Sequence, residues 1–396
     1  MLHPGMWQER WELDNWLLYA LIVAAIAIGW WLGRRDRSKA PETLGPNYYQ
    51  GVNYLLNDQP DRAVAAFIED LAVSPDTLET HLAMGSLLRR RGEVEKAVSV
   101  HENILRHAVL ERSTMLSVQL ELARDYMQAG LLDRAEATVE SLVDEPGQIR
   151  TEALSILLEV YEREKEWDKA IAAAGEIRSV EPNLPHRVSH YYCELAEVGL
   201  GGGDADLALR CLRQARDHDA TNARVLLLEG RAELERGNHD KARHALTAIL
   251  EVDPRRVPES LDLLRAAFAD GPAQELEAYL EQCLERVPAT SLVLALAEQK
   301  RETLGDVGVA KFIADYLKRN PTIRGLTQLI DLHIDNTSGA ARENLSILRS
   351  FTEALVVDKP TYRCGECGFA GKSLHWHCPS CRQWGTTEPI FGLEGE

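Results

Sequence analysis

The sharpest feature in the hydropathy of this chain is a run of 17 uncharged, largely apolar residues, Trp16 to Leu32, between charged flanks. Seventeen residues is the short end of what crosses a bilayer as a helix. Trp16 stands at one end and Trp30 with Trp31 at the other, where indole rings favour the two membrane interfaces. A cleaved signal peptide has a basic leading region and small residues at its cleavage site. Here Glu9, Arg10, Glu12 and Asp14 lead, and bulky tryptophans close the run. The pattern therefore predicts a retained transmembrane helix over 16–32. Arg34, Arg35, Arg37 and Lys39 follow it, whereas only Arg10 precedes it. Positive flanks stay cytoplasmic, so a short tail, 1–15, faces outward. A basic juxtamembrane linker, 33–46, then leads into a cytoplasmic body.

From residue 47 the pattern changes to amphipathic helix, punctuated by small residues at a long period. The stretch N-Y-Y-Q-G-V-N-Y-L-L is followed by Ala63, Phe67 and Pro75, with Gly51, Ala63 and Pro75 twelve residues apart in turn. Gly85 and Ala97 repeat the pair 34 residues later, and Ala135, Ala170, Ala208 and Ala242 continue it at gaps of 38, 35, 38 and 34. Pro182 and Pro254 again fall twelve residues after their alanines. Small residues let two helices approach closely, and proline stops the second one. The pattern resembles the tetratricopeptide repeat family, a helix–turn–helix unit that buries its apolar face only by stacking on its neighbours. Six units are clear. Beyond Pro254, Pro288 and Pro321 with Ala310 in the small-residue slot predict one or two degenerate repeats, then helices over about 324–336 and 340–357. The fold class expected is all-α: a repeat superhelix over 47–358 whose concave surface takes a protein partner, with contact residues that the sequence does not name.

Composition narrows the chemistry. Hydrophobic residues make up 45% and aromatics only 6%, as suits a folded helical chain. A net charge of −18 disfavours phosphate-backbone binding, so no nucleic acid is expected. Four of the seven cysteines lie near the C-terminus as Cys364, Cys367, Cys378 and Cys381, two C-x2-C pairs separated by ten residues. Each pair suits a tight knuckle whose backbone amides donate to thiolates, and four thiolates close a tetrahedral site for one metal ion, zinc or iron. No coordination position stays open, so the role expected is structural. The 38 residues of 359–396 have too little core to fold without the metal. A redox pair, a disulfide staple and ligation by His375 or His377 fit less well, and the two histidines read as packing or surface residues. Cys193, Cys211 and Cys283 lie in apolar helical context and read as core.

Catalytic motifs are not found. Gly371-Lys372-Ser373 lacks the leading glycine of a phosphate loop, because residue 366 is Glu366. His101-Glu102 begins a zincin-like string that fails at Leu105. Gly201-Gly202-Gly203 reads as a turn in the fifth repeat, and no nucleophile elbow appears. The chain is expected to be a scaffold, not an enzyme.

The order of parts, with W-H-C-P-S-C-R-Q-W at Trp376–Trp384 and I-F-G-L-E-G at Ile390–Gly395, resembles the lipopolysaccharide assembly protein B family over essentially the whole chain. That resemblance implies a single-pass inner-membrane protein with a periplasmic N-terminus and a rubredoxin-type ribbon. It also implies an adaptor that promotes proteolysis of the lipid A-committing deacetylase by a membrane-anchored AAA+ protease, restrained by an inner-membrane regulator that senses lipopolysaccharide. A homodimer is left open. The ribbon is expected to pack on the last repeats and fix their end, or to offer contact surface itself. The alternatives are a tethered scaffold for another envelope assembly, a rubredoxin-like electron carrier, and, least favoured by the acidic chain, a nucleic-acid-binding ribbon.

Overall fold

The computed structural model describes residues 19–20, 22–31, 53–54, 62, 78–107, 110–177 and 182–395. Residues 22–31 are helical, with Ile22, Val23, Ile26, Ile28, Trp30 and Trp31 all exposed. Among the described residues no helix is long and apolar enough to cross a membrane, and Trp16, Leu17, Leu18, Leu21 and Leu32 of the expected span lie outside them. The tail 1–15, the linker 33–46 and the first repeat's Gly51, Ala63 and Pro75 lie outside them as well.

Contacts divide the chain into two compact units, Met1–Ile149 and Arg150–Glu396. The first holds α1 (Leu78–Arg90), α2 (Val94–His107), α3 (Arg112–Ala129) and α4 (Leu132–Glu140). The second holds nearly all of α5 (Gln148–Glu164), then α6 (Trp167–Glu176), α7 (Leu184–Gly201), α8 (Ala205–His218), α9 (Ala223–Glu235), α10 (His239–Thr247) and the short α11 (Ile249–Val252). These are the helix pairs that the small-residue spacing predicts. Ala97, Ala135, Ala170, Ala208 and Ala242 are each fully buried on the second helix of a pair.

One element of the repeat escaped that reading. Five residues before each of these alanines stands a left-handed residue: Gly92, Gly130, Lys165, Gly203 and Gly237, with φ between 60° and 83°. The next amide then donates back to a carbonyl five residues earlier, as Leu131 does to Tyr126 (2.9 Å) and Asn238 to Glu233 (2.8 Å). Such a turn ends the first helix, satisfies its last carbonyls and starts the second at a fixed angle. Where the two helices of a pair touch, the small slot is tight: a Cβ on Gly230 would lie 2.5 Å from the Leu246 side chain.

After a 3-10 turn, Pro254–Arg256, come α12 (Val257–Ala267), α13 (Ala273–Arg286), α14 (Thr290–Gln299), α15 (Arg301–Leu317), α16 (Ile323–Asp335) and α17 (Ala340–Val356). The last two match the helices expected there. The slot given to Ala310 is corrected: Ala310 is half-buried, and Val309 with Ile313 fill the core. Gly305, at φ 62°, breaks the helical path of α15 and shifts which residues face inward. The C-terminal segment forms three short antiparallel strands, β1 (Tyr362–Cys364), β2 (Ala370–Gly371) and β3 (Thr387–Pro389), in the order β2-β1-β3.

Candidate metal centre and its dock on the repeats

The two cysteine pairs sit on knuckles built alike. In the first, the Gly368 amide donates to the Cys364 carbonyl (3.0 Å) and the Cys364 amide to the Phe369 carbonyl (2.7 Å). In the second, Arg382 donates to Cys378 (2.9 Å) and Cys378 to Gln383 (3.0 Å). Gly368 and Arg382 occupy matching positions and are both left-handed, at φ 76° and 58°. The knuckles face each other, so that Cys364 Sγ lies 3.7 Å from Cys381 Sγ and Cys367 Sγ 3.7 Å from Cys378 Sγ. All four sulfurs fall within 4.8 Å of one another.

This cluster fits a metal. Sulfurs at the corners of a tetrahedron with bonds near 2.3 Å stand about 3.8 Å apart. The surroundings favour thiolate: burial opposes ionisation of Cys364, but the Thr386 hydroxyl and the amides of Cys367 and Glu366 outweigh it and hold the thiol down at about 6. The Phe369 amide lowers Cys367 as well. Cys381 is pushed up to about 12, first by burial and then by the other three sulfurs, against a lowering bond from the Gln383 amide. Bound cation would neutralise that mutual repulsion. His375 lies against Phe369, and His377 stacks on Trp384 with rings 4.4 Å apart, so both histidines pack rather than join the cluster. Cys193 and Cys283 are buried core residues, and burial raises their thiols to about 12 and about 11. Cys211 is partly buried.

The ribbon packs on the late helices, as expected, with Tyr362 on Glu259 of α12 and Leu393 on Ile323 of α16, but its dock extends well beyond them. It reaches back to α5, α6, α7, α9 and the Pro254–Arg256 turn, mostly first helices of their pairs. Trp384, 3% exposed, donates from Nε1 to Glu162 Oε1 (3.0 Å). Glu162 also accepts from Arg187 Nη2 (3.0 Å) and from the Tyr191 hydroxyl. The Trp384 ring lies between His377 and His190 and meets Trp167 and Tyr191 edge-on at 6.0 and 5.9 Å. Burial, then Arg224 and His186, drive the His190 pKa well below its ordinary value, so this imidazole is neutral where it stacks. Residues 186, 187, 190 and 191 share one face of α7 because they are one and four positions apart.

Trp376 makes the second anchor. The guanidiniums of Arg256 and Arg224 lie 4.8 and 5.6 Å from its ring centre, cation–π contacts made by two arginines that are each 2% exposed. Arg224 is held by Glu194 (2.8 Å) and Glu197 (2.9 Å), and Arg256 donates to the Gly385 carbonyl (3.1 Å). Around this centre Tyr362 donates to Glu259 (2.8 Å) and Arg255 to Glu388 (2.5 Å). The tail is tied too: the Ile323 amide donates to the Leu393 carbonyl (2.9 Å), and Phe391 packs on the buried cluster that runs from α9 to α14.

Gly385 fixes how closely the parts meet. Its φ is +70°, and a Cβ there would stand 2.8 Å from His186 Nε2. Gly385→Ala adds left-handed strain of roughly 1–2 kcal/mol to that clash. Its expected outcome is a ribbon that keeps its metal but leaves the repeats, read as faster amide exchange in α7 with unchanged metal content.

None of the repeat-side partners, Glu162, Arg187, His190, Tyr191, Arg224 and Arg256, was singled out by sequence reasoning. Arginine and glutamate on amphipathic helices read as solvated face; the one available signal was aromatic and histidine density in His186–Tyr192.

Comparison with known proteins agrees with this architecture. A family described as rubredoxin metal binding domain matches residues 362–389, and tetratricopeptide repeat families match 120–178 and 200–267. The chain is similar to Lipopolysaccharide assembly protein B of Escherichia coli (strain K12), 36% identical over 386 residues, covering 96% of this chain and 99% of the relative. It is similar to Lipopolysaccharide assembly protein B of Haemophilus influenzae at 30% identity over 393 residues, again 96% of this chain and 99% of the relative. A crystal structure of MamA protein aligns at 20% identity and TM-score 0.33, over 46% of this chain and 95% of that one, a likeness too slight to bear on function.

Proposed function

This chain belongs to the lipopolysaccharide assembly protein B family, and from that premise we propose that it is an inner-membrane adaptor, not an enzyme, that sets how fast the lipid A-committing deacetylase is degraded. In this reading residues 16–32 anchor the chain, 1–15 face the periplasm and 33–46 link to the cytoplasmic body. The repeats of 47–358 hold partners, and 359–396 is the metal-bound ribbon. Cys364, Cys367, Cys378 and Cys381 would bind one zinc or iron ion, which supplies a structural cross-link and no open position for chemistry.

The observation that carries the reading is the ribbon seated on the repeats through Trp384 and Glu162. A free rubredoxin-like electron carrier has no need of a buried dock of tryptophan, glutamate and arginine. A scaffold does, because the dock makes ribbon and repeats of the second unit one rigid surface, and rigid surfaces bind at lower entropic cost. Membrane anchoring would confine deacetylase and AAA+ protease to the same layer and raise their effective concentration. A regulator in the same membrane could compete for the adaptor by the same means.

Depletion of the protein in its native host is the test, followed by measurement of the deacetylase half-life. The adaptor reading expects a deacetylase several-fold longer-lived and more abundant. An unchanged half-life rejects it and leaves a scaffold for another envelope assembly.

A further inference from the structure

The ribbon occupies one face of the second unit. Glu162 on α5, His190 and Tyr191 on α7 and Arg224 on α9 all turn toward its tryptophans. A partner has no access to that face while the ribbon is seated, so docking on these repeats needs another. Helix α9 has one on its opposite side. Leu226, Glu229 and Glu233 lie about half a turn around the helix from Arg224. There they floor a groove of about 700 Å³ between α8 and α10.

This groove is apolar below and charged at its rim. Leu209 of α8, Leu226 of α9, Ala245 of α10 and Val252 of α11 line it. Its acids are already matched: Glu229 holds Arg216, Glu233 accepts from Asn238 (2.6 Å) and pairs with Arg236 (3.5 Å), and Asp240 holds Arg243. Arg213 and Lys241 stand exposed on the same rim, and among the described residues neither has an ion pair. The lining therefore holds four arginines and lysines against three acids, a local positive surplus in a chain of net charge −18.

We propose that this groove docks an acidic, amphipathic segment of a partner protein, with its apolar residues on Leu209, Leu226 and Val252 and its carboxylates on Arg213 and Lys241. The partner's being a protein under this chain's control rests on the adaptor reading; the chemistry of the groove does not. Two features select the occupant. The charges left unmatched are cations, so a carboxylate gains a partner there and an ammonium does not. The floor is long as well as apolar: Leu226 to Arg236 spans about 15 Å at 1.5 Å per residue, close to three helical turns. A small anion needs neither that length nor an apolar floor, whereas a helix laid in a groove needs both.

The test uses the full-length chain in lipid nanodiscs and two synthetic helical peptides of about twelve residues. Both carry the same leucine stripe; one has glutamate and the other glutamine at the polar positions. Binding is read by fluorescence anisotropy. The glutamate peptide is expected to bind at least tenfold more tightly than the glutamine one, and to weaken as salt rises. Arg213→Glu with Lys241→Glu should weaken it at least tenfold, with helix content and bound metal unchanged, whereas Arg213→Lys with Lys241→Arg should retain it. Ala248→Trp, which fills the floor and leaves the charges alone, should weaken both peptides. Amide protection on binding should fall on α8–α10 and not on α5 or α7. Equal binding of the two peptides, no binding of either below about 1 mM, indifference to the charge reversal, or protection confined to α5 and α7 would each overturn the proposal. In cells the charge-reversed chain should lengthen the deacetylase half-life as depletion does. If depletion lengthens it and the reversal does not, the groove is not where the adaptor docks its partner. If depletion has no effect while the peptide results hold, the adaptor reading fails and the groove stands.

Discussion

A chain carrying Cys364→Ser and Cys367→Ser is expected to lose its metal and, with it, the seating of both tryptophans on the repeats. The ribbon strands are two or three residues long, too short to hold without a cross-link. A structural zinc contributes on the order of 10–16 kcal/mol in small peptides, more than a segment of this size has available from burial. Trp376 and Trp384 flank the second knuckle at Cys378 and Cys381, so their spacing depends on the metal. Loss of the ribbon uncovers Glu162, His190, Arg224 and Arg256. Arg224 and Arg256 would lose the Trp376 face, and Glu162 one of its donors. The checks are zero bound zinc or iron, increased amide exchange across α5, α7 and α9, and a deacetylase several-fold longer-lived in cells. Retained adaptor function without metal would remove the ribbon from the mechanism.

Trp384→Ala separates the metal from the docking. Both knuckles close through backbone bonds that do not involve this side chain, so the metal should remain at one per chain. The dock should not. Truncating a buried tryptophan costs roughly 3–5 kcal/mol, and here it also removes the Nε1 donor to Glu162 and the surface on which His190 and His377 stack. Protease cleavage at 357–361, between α17 and β1, should rise at least tenfold, and adaptor activity should fall as far as in the double serine variant. A Trp384→Phe chain, which keeps an aromatic ring in the slot but loses the hydrogen bond and part of the buried indole, should fall between. If Trp384→Ala binds metal, is cleaved readily and still shortens the deacetylase half-life, the dock is structural only.

Much of this architecture is written in short-range pattern. Ala97, Ala135, Ala170, Ala208 and Ala242 reveal the helix pairs because a close approach between helices admits only small residues, and that restriction shows at any single position. The left-handed residues Gly92, Gly130, Gly203 and Gly237 were equally legible in principle, and only Lys165 disguises the series. The four cysteines are legible because a tetrahedral thiolate site needs two closely spaced pairs. Ala310 misled because Gly305 breaks the helix and resets its phase. The dock was hidden for a different reason: Glu162 and Trp384 are 222 positions apart, and neither has a local pattern that names the other. A glutamate, two arginines and a histidine on amphipathic helices look the same whether they face water or a tryptophan.

The contact between Trp384 and Glu162 also bears on the order of events during synthesis. Domains tend to fold as they emerge from the ribosome, and contacts of long sequence separation close last. The face that holds Glu162, His190 and Arg224 is therefore complete long before the tryptophans that cover it have been translated. Until the ribbon leaves the exit tunnel and finds a metal ion, each nascent chain carries an open, aromatic-lined surface. A chain cut short by damage or by a premature stop never closes it, and leaves uncovered the same residues that are buried in the finished molecule.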